Sequence, residues 1–139
     1  MSVATALPAI AACAALLATA ACATPPAPAV PTAHERSRLL LRADIDDGTR
    51  KVYVASYELA PGARSERHSH PGDEFVYVLA GEATVLFDDG STVSAKAGAA
   101  FHVAAGVAHV DLNLSATEMV KVIGVVLARP GQPINERTR

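Results

Sequence analysis

The sequence has no tryptophan and only two cysteines, Cys13 and Cys22, both within its first 23 residues. From Ala23 onward it holds no thiol. That absence excludes a disulfide framework and a thiolate metal site from the rest of the chain, and with them a closed, cysteine-based structural zinc site. An excess of either charge is also missing: 12 Lys and Arg stand against 14 Asp and Glu, for a formal net charge of −2. Without a basic excess there is no electrostatic case for a nucleic-acid partner. Residues 1–33 lack Asp, Glu, Lys, Arg and His altogether, so every ionisable side chain other than the cysteines lies from His34 onward.

That uncharged front is rich in alanine, and Leu7 to Ala23 is almost wholly apolar or small. It is too short and too Ala-rich for a membrane span, which needs roughly 20 strongly apolar residues. It suits a secretory leader, which needs a short apolar stretch and a small-residue cleavage site, here Ala21-Cys22-Ala23. Thr19-Ala20-Ala21-Cys22 also resembles the end of a bacterial lipoprotein signal, with Thr19 where leucine is usual, so a lipid anchor at Cys22 and a cleaved, unanchored product both stand open. Residues 1–23 are therefore expected to be a signal peptide and the protein to be exported, periplasmic or membrane-anchored. Pro25, Pro26, Pro28 and Pro31 then mark a linker over 24–36, because closely spaced proline favours extended polyproline conformation over packing. The folded domain is expected over 37–139, roughly 100 residues, enough for one core.

In that domain the pattern is strand and turn. Arg38–Ile45 and Arg50–Leu59 flank Asp46-Asp47-Gly48-Thr49, where Asp-Gly marks a hairpin. Further runs fall at Glu74–Leu79, Glu82–Phe87, Ser91–Ala95, Ala99–Val103, His109–Leu114 and Glu118–Leu127, parted by glycine-bearing turns and by the polar stretch after Leu114. Short β runs at regular spacing, with no convincing helix, predict an all-β sandwich or barrel.

His68-Ser69-His70 carries the chemistry. Residues two apart on a strand share a face, so both imidazoles can reach one metal ion. Glu74 adds a hard anionic ligand, and His109, at the head of a later strand, is the best fourth donor. Such a mixed nitrogen and oxygen set suits Fe, Mn, Ni, Cu or Zn and leaves coordination positions open for water or substrate.

The residues around these four resemble the motifs of the cupin superfamily. Gly62, His68, His70, Glu74 and Gly81 match G-x5-H-x-H-x3-E-x6-G at every spacing. Gly98, Gly106, His109 and Asn113 match G-x5-P-x-G-x2-H-x3-N, with Ala104 in place of the proline, and sixteen residues part the two motifs, as in small bacterial members. The resemblance, to small single-domain cupins often labelled quercetin-dioxygenase-like, implies a jelly-roll barrel with a divalent metal inside, held by His68, His70, Glu74 and His109. It also implies a homodimer, a structural Asn113, and a turn loosened by Ala104. Glu74 is the residue to release the metal and act as a base. His102 is expected to face solvent or support structure. Arg64, Glu66, Arg67 and Asp73 read as exposed loop charge, with an anionic-substrate role as the alternative.

Two functions compete. One is a metal-dependent enzyme of dioxygenase, isomerase or lyase type acting on a small substrate. The other is an exported, non-enzymatic module that binds a metal or small ligand. A vestigial site is disfavoured, because four polar side chains buried in a barrel without a metal are costly.

Overall fold

The computed structural model describes residues 35–138. The leader, Cys13, Cys22 and the proline-rich segment up to His34 lie outside the described residues. The strands are β1 (Glu35–Ile45), β2 (Arg50–Leu59), β3 (His68–Ser69), β4 (Glu74–Ala80), β5 (Glu82–Phe87), β6 (Thr92–Lys96), β7 (Ala100–Val103), β8 (His109–Leu112), β9 (Val120–Ala128) and β10 (Glu136–Arg137). Glu35 and Arg36, which the sequence pattern grouped with the linker, belong to β1. The two-residue strands β3 and β10 were not anticipated, being too short to show a period of two.

The strands form two antiparallel five-stranded sheets, in the orders β1-β2-β9-β4-β7 and β10-β3-β8-β5-β6. This is the all-β barrel the strand pattern predicted, in the jelly-roll form the cupin resemblance implied. Alternation explains it locally. On β4, Glu74, Val76 and Val78 are buried while Phe75, Tyr77 and Leu79 are exposed. On β9, Val120, Val122, Gly124, Val126 and Ala128 turn inward. β9 pairs with both β2 and β4 and so lies in the middle of its sheet.

The interior packs mainly small and β-branched residues. Leu59, Val76, Val78, Ala83, Ala95, Val120 and Val122 form one cluster, with Tyr57 and Phe101 against it. A second cluster of Tyr53, Val126 and Ala128 lies under Ile134. The β1–β2 hairpin closes through a 3₁₀ turn at Asp46–Gly48, with Asp46 and Asp47 at φ 52° and 54°. Aspartate tolerates this left-handed conformation better than most residues.

Candidate metal centre

Three histidines converge inside the barrel. His68 on β3 and His109 on β8 are register partners across the strand pair. His70 follows the end of β3, and Gly106 donates its backbone N–H to the His70 carbonyl at 2.7 Å. That bond ties the turn before His109 to the segment that carries His70. Gly106 sits at φ +76°, a conformation glycine adopts without steric cost. One nitrogen from each ring lies within 4.8 Å of the others, and ring centroids stand 4.4 to 5.4 Å apart.

The hydrogen bonds fix which nitrogen is free. Nδ1 of His68 meets the Glu66 carbonyl at 2.9 Å, Nδ1 of His70 the Ile134 carbonyl at 2.7 Å, and Nδ1 of His109 the Val107 carbonyl at 2.9 Å. A carbonyl only accepts, so each Nδ1 carries a proton and donates it. In the neutral rings Nε2 then carries the lone pair. Backbone bonds of this kind set tautomer and ring orientation in metal-ligating histidines.

Glu74, the first residue of β4, reaches the same place from the opposite sheet. Its Oε2 is 3.2 Å from His70 Nε2 and 3.9 Å from His109 Nε2. His70, His109 and Glu74 are 3%, 0% and 6% exposed. Nε2 of His70 and of His109 are buried with no hydrogen-bond partner. An unpaired buried polar atom costs roughly 1–3 kcal/mol, so two at one spot call for a ligand. Donor atoms each about 2.0–2.2 Å from one shared ion lie at most about 4.4 Å apart, and the Glu74 contacts satisfy that limit. The three histidines, with Glu74 beside two of them, thus fit a divalent ion.

Burial pulls the pKa of His70 down, but the Glu74 carboxylate 3.2 Å away outweighs it and leaves it raised. For His109 burial prevails over the Val107 carbonyl and holds the pKa down. His109 is accordingly kept neutral with its lone pair available, which a metal ligand requires.

The other expected residues sort clearly. Asn113 is buried and structural: its Nδ2 faces the carbonyls of Leu59, Ala60 and Glu118 at 3.0, 3.0 and 2.7 Å, and its Oδ1 accepts from Ser115 N at 3.0 Å. His102 is exposed, bonded to Asp73 at 2.9 Å and stacked on Phe75. Arg67 grips Asp88 with Nε at 2.8 Å, and Glu66 pairs with Arg137 at 3.1 Å. These loop charges hold one another on the outside, and none of Arg64, Glu66, Arg67 and Asp73 lines the interior cavity.

Three contributors escaped the sequence reading. A Cβ on Gly72 would fall 1.3 Å from the Leu127 carbonyl oxygen, so only glycine lets the loop between His70 and Glu74 lie against β9. A Cβ on Gly124 would fall 2.9 Å from Glu74 Oε1 and from the Tyr57 ring, so this glycine makes room for the carboxylate. A glycine inside a long apolar strand signals such close approach. The third is Asp111, two residues beyond His109 on β8, with Oδ2 3.8 Å from His68 Nε2. Burial of the carboxyl group raises its pKa above the ordinary value against the pull of His68, although 36% of the side-chain surface is exposed. That cavity, about 40 Å³, is walled by Leu59, Val76, Val85, Phe101, Val120 and Val122, with His68, Glu74 and Asp111 at its polar end.

Fold and site together define a small jelly-roll barrel with an interior cluster of three histidines and a carboxylate. The Cupin_2 family model, a cupin domain, matches residues 55–126, and the chain belongs to that family. No curated protein matches it. Among solved structures it is similar to a cupin superfamily protein of Desulfitobacterium hafniense, with a TM-score of 0.57 and 20% identity over 70% of this chain and 81% of that one. It is also similar to the polyketide cyclase RemF of Streptomyces resistomycificus, with a TM-score of 0.58 and 21% identity over 76% and 71% of the two chains. A third similar structure is the DMSP lyase DddQ of Ruegeria pomeroyi, with a TM-score of 0.53 and 17% identity over 63% of this chain and 43% of the lyase.

Proposed function

We propose that this cupin holds one divalent transition metal ion through His68, His70, Glu74 and His109 and acts with it on a small substrate, as an enzyme of dioxygenase, isomerase or lyase type. The observation that carries the reading is the pair of buried, partnerless Nε2 atoms of His70 and His109, beside a third histidine whose Nδ1 is likewise committed to a carbonyl. When bound, the ion supplies Lewis acidity to a substrate oxygen. The chain's own residues do the rest. The three carbonyl-bonded rings stay oriented, the apolar wall limits water, and Glu74 is placed to take a proton from a substrate held beside it. A cyclase and a lyase among the similar structures support an enzymatic use of this fold.

The small cavity favours a second reading, a binding module without turnover, since about 40 Å³ admits only a few non-hydrogen atoms. One experiment separates these readings. Elemental analysis should show one Fe, Mn, Ni, Cu or Zn per chain in the purified wild type and none in His109→Ala. A wild-type protein that takes up none of them ends the first reading and most of the second, leaving only a metal-free small-ligand binder. With metal bound, oxygen uptake or product formation on a panel of enediols, flavonols and small diketones marks the enzyme, and silence across it the module.

The reading includes export, with Cys22 either lipidated or removed with the leader. Fatty-acid labelling that disappears in Cys22→Ala would identify the anchored form. It also includes a homodimer, supported by the exposed Phe75, Tyr77 and Leu79 side by side on the outer face of β4. Light scattering of the purified chain gives the mass.

A further inference from the structure

The family motifs assign four ligands, and Asp111 is not one of them. Its position is nonetheless that of a ligand. β3 and β8 pair antiparallel with His68 opposite His109, so Asp111, two residues along β8, shares the inward face and is a diagonal neighbour of His68. Backbone bonds on both sides of Asp111 lock that placement: Ser65 N donates to the Asp111 carbonyl at 2.9 Å, and Asp111 N donates to Ser65 Oγ at 2.8 Å.

The two carboxylates divide the histidine cluster between them. Glu74 approaches His70 and His109, at 3.2 and 3.9 Å, while Asp111 approaches His68 at 3.8 Å. Each of these three separations lies inside the roughly 4.4 Å that two donors on one ion allow, and the three histidine nitrogens lie within 4.8 Å of one another. Among the described residues, no hydrogen-bond donor is recorded on the Asp111 carboxylate. The cavity it lines with His68 and Glu74 is otherwise apolar except for Tyr57 and Thr84. A carboxylate on a largely apolar cavity wall, with 36% of its side chain exposed, still favours a cation close by. No lysine or arginine lines the cavity, so besides His68, which is charged only when protonated, a metal ion is the cation that could offset it.

We infer that Asp111 is a fifth protein ligand of the centre, giving three nitrogens and two carboxylate oxygens. The inference rests on the metal reading proposed above. Two hard oxygen donors tilt the preference toward Mn and Fe over softer ions. Five protein donors on a six-coordinate ion leave one open position, which must face the small cavity. A substrate would then bind through a single atom rather than as a chelate.

The test uses the full chain and Mn(II) alone. Manganese affinity and the EPR spectrum of the bound ion are compared for wild type, Asp111→Ala, Asp111→Asn and Glu74→Ala, with circular dichroism to confirm folding. We expect both Asp111 variants to weaken Mn(II) binding by roughly 10-fold or more, as Glu74→Ala does, and to change the EPR spectrum. The asparagine variant keeps the shape and so guards against a packing defect in the alanine variant. Affinity within about twofold of wild type overturns the inference, and so does weaker binding with an unchanged spectrum, which would mean that Asp111 contributes charge alone. If the wild type binds neither Mn nor any of Fe, Ni, Cu and Zn, the metal reading itself fails, and this inference with it.

Discussion

Two buried polar groups of this barrel, Asn113 and His109, lie four residues apart and meet opposite fates. Asn113 has every part of its amide engaged, with three carbonyls around Nδ2 and an N–H on Oδ1. His109, equally buried, is engaged at Nδ1 and has no partner at Nε2. Both were legible as motif positions, and spacing alone could not say which was structural. The hydrogen-bond count separates them: a satisfied buried polar group serves the fold, while an unsatisfied one faces a missing partner.

The sharpest way to break this contrast is to move the loop that sets the site end. Gly72→Ala forces a Cβ into the Leu127 carbonyl at 1.3 Å, with backbone on both sides and no flexible side chain to yield. It should destabilise the domain by at least about 3 kcal/mol and abolish metal uptake, measured by urea unfolding and elemental analysis. Normal stability with normal metal content would show that the loop can lie elsewhere.

The direct contrast comes next. His109→Ala should lower metal affinity by roughly 100-fold or more and erase the rise in melting temperature that added metal gives the wild type. Asn113→Ala should do the reverse. It strips the donor from three carbonyls and costs about 2–3 kcal/mol, while metal affinity stays within a few-fold. Calorimetric titration and thermal melts of the two variants check both halves. Equal effects on metal binding would erase the distinction drawn here.

Gly124 makes a finer cut. Gly124→Ala places a methyl group 2.9 Å from Glu74 Oε1. Metal affinity should fall about 10-fold while stability changes by less than about 2 kcal/mol, because the carboxylate can turn aside more easily than β9 can move. A loss of stability without a loss of affinity would show that the strand gives way instead.

What could be read beforehand follows from range. The strands with clear alternation, the hairpin at Asp46–Gly48 and each of the two short motifs that hold His68, His70, Glu74 and His109 depend on neighbours close in sequence. The glycines of the motifs were expected at turns, and Gly62, Gly81, Gly98 and Gly106 all take positive φ. Gly72 and Gly124 matter for a different reason, their approach to Leu127 and Glu74, about 50 residues away in each case. The carbonyl that holds His70 belongs to Ile134, brought back by β10 pairing with β3. Long-range contacts of this kind leave no periodic trace. Asp111 had one, its parity with His109, but no motif drew attention to it.

The smallest expected effect tests the position where this chain departs from its family's pattern. Ala104 stands where the second motif has proline, and it begins a turn in which Val107 N donates to the Ala104 carbonyl at 3.2 Å. Gly106, third in that turn, takes the positive φ a type II turn needs. Ala104 is exposed, and its own N–H is not a donor in the backbone bonds of this loop. Proline there would remove no recorded bond and would restrict the unfolded chain. Ala104→Pro should therefore stabilise the domain by about 0.4–1 kcal/mol and raise its melting temperature by roughly 2–6 °C. Metal affinity should not change, because His109 is oriented by the Val107 carbonyl and by β8 rather than by residue 104. If the proline variant instead binds metal more tightly, this turn would govern the ligand as well as the fold, and the line between satisfied and waiting polar groups would have to be drawn through the loop rather than along β8.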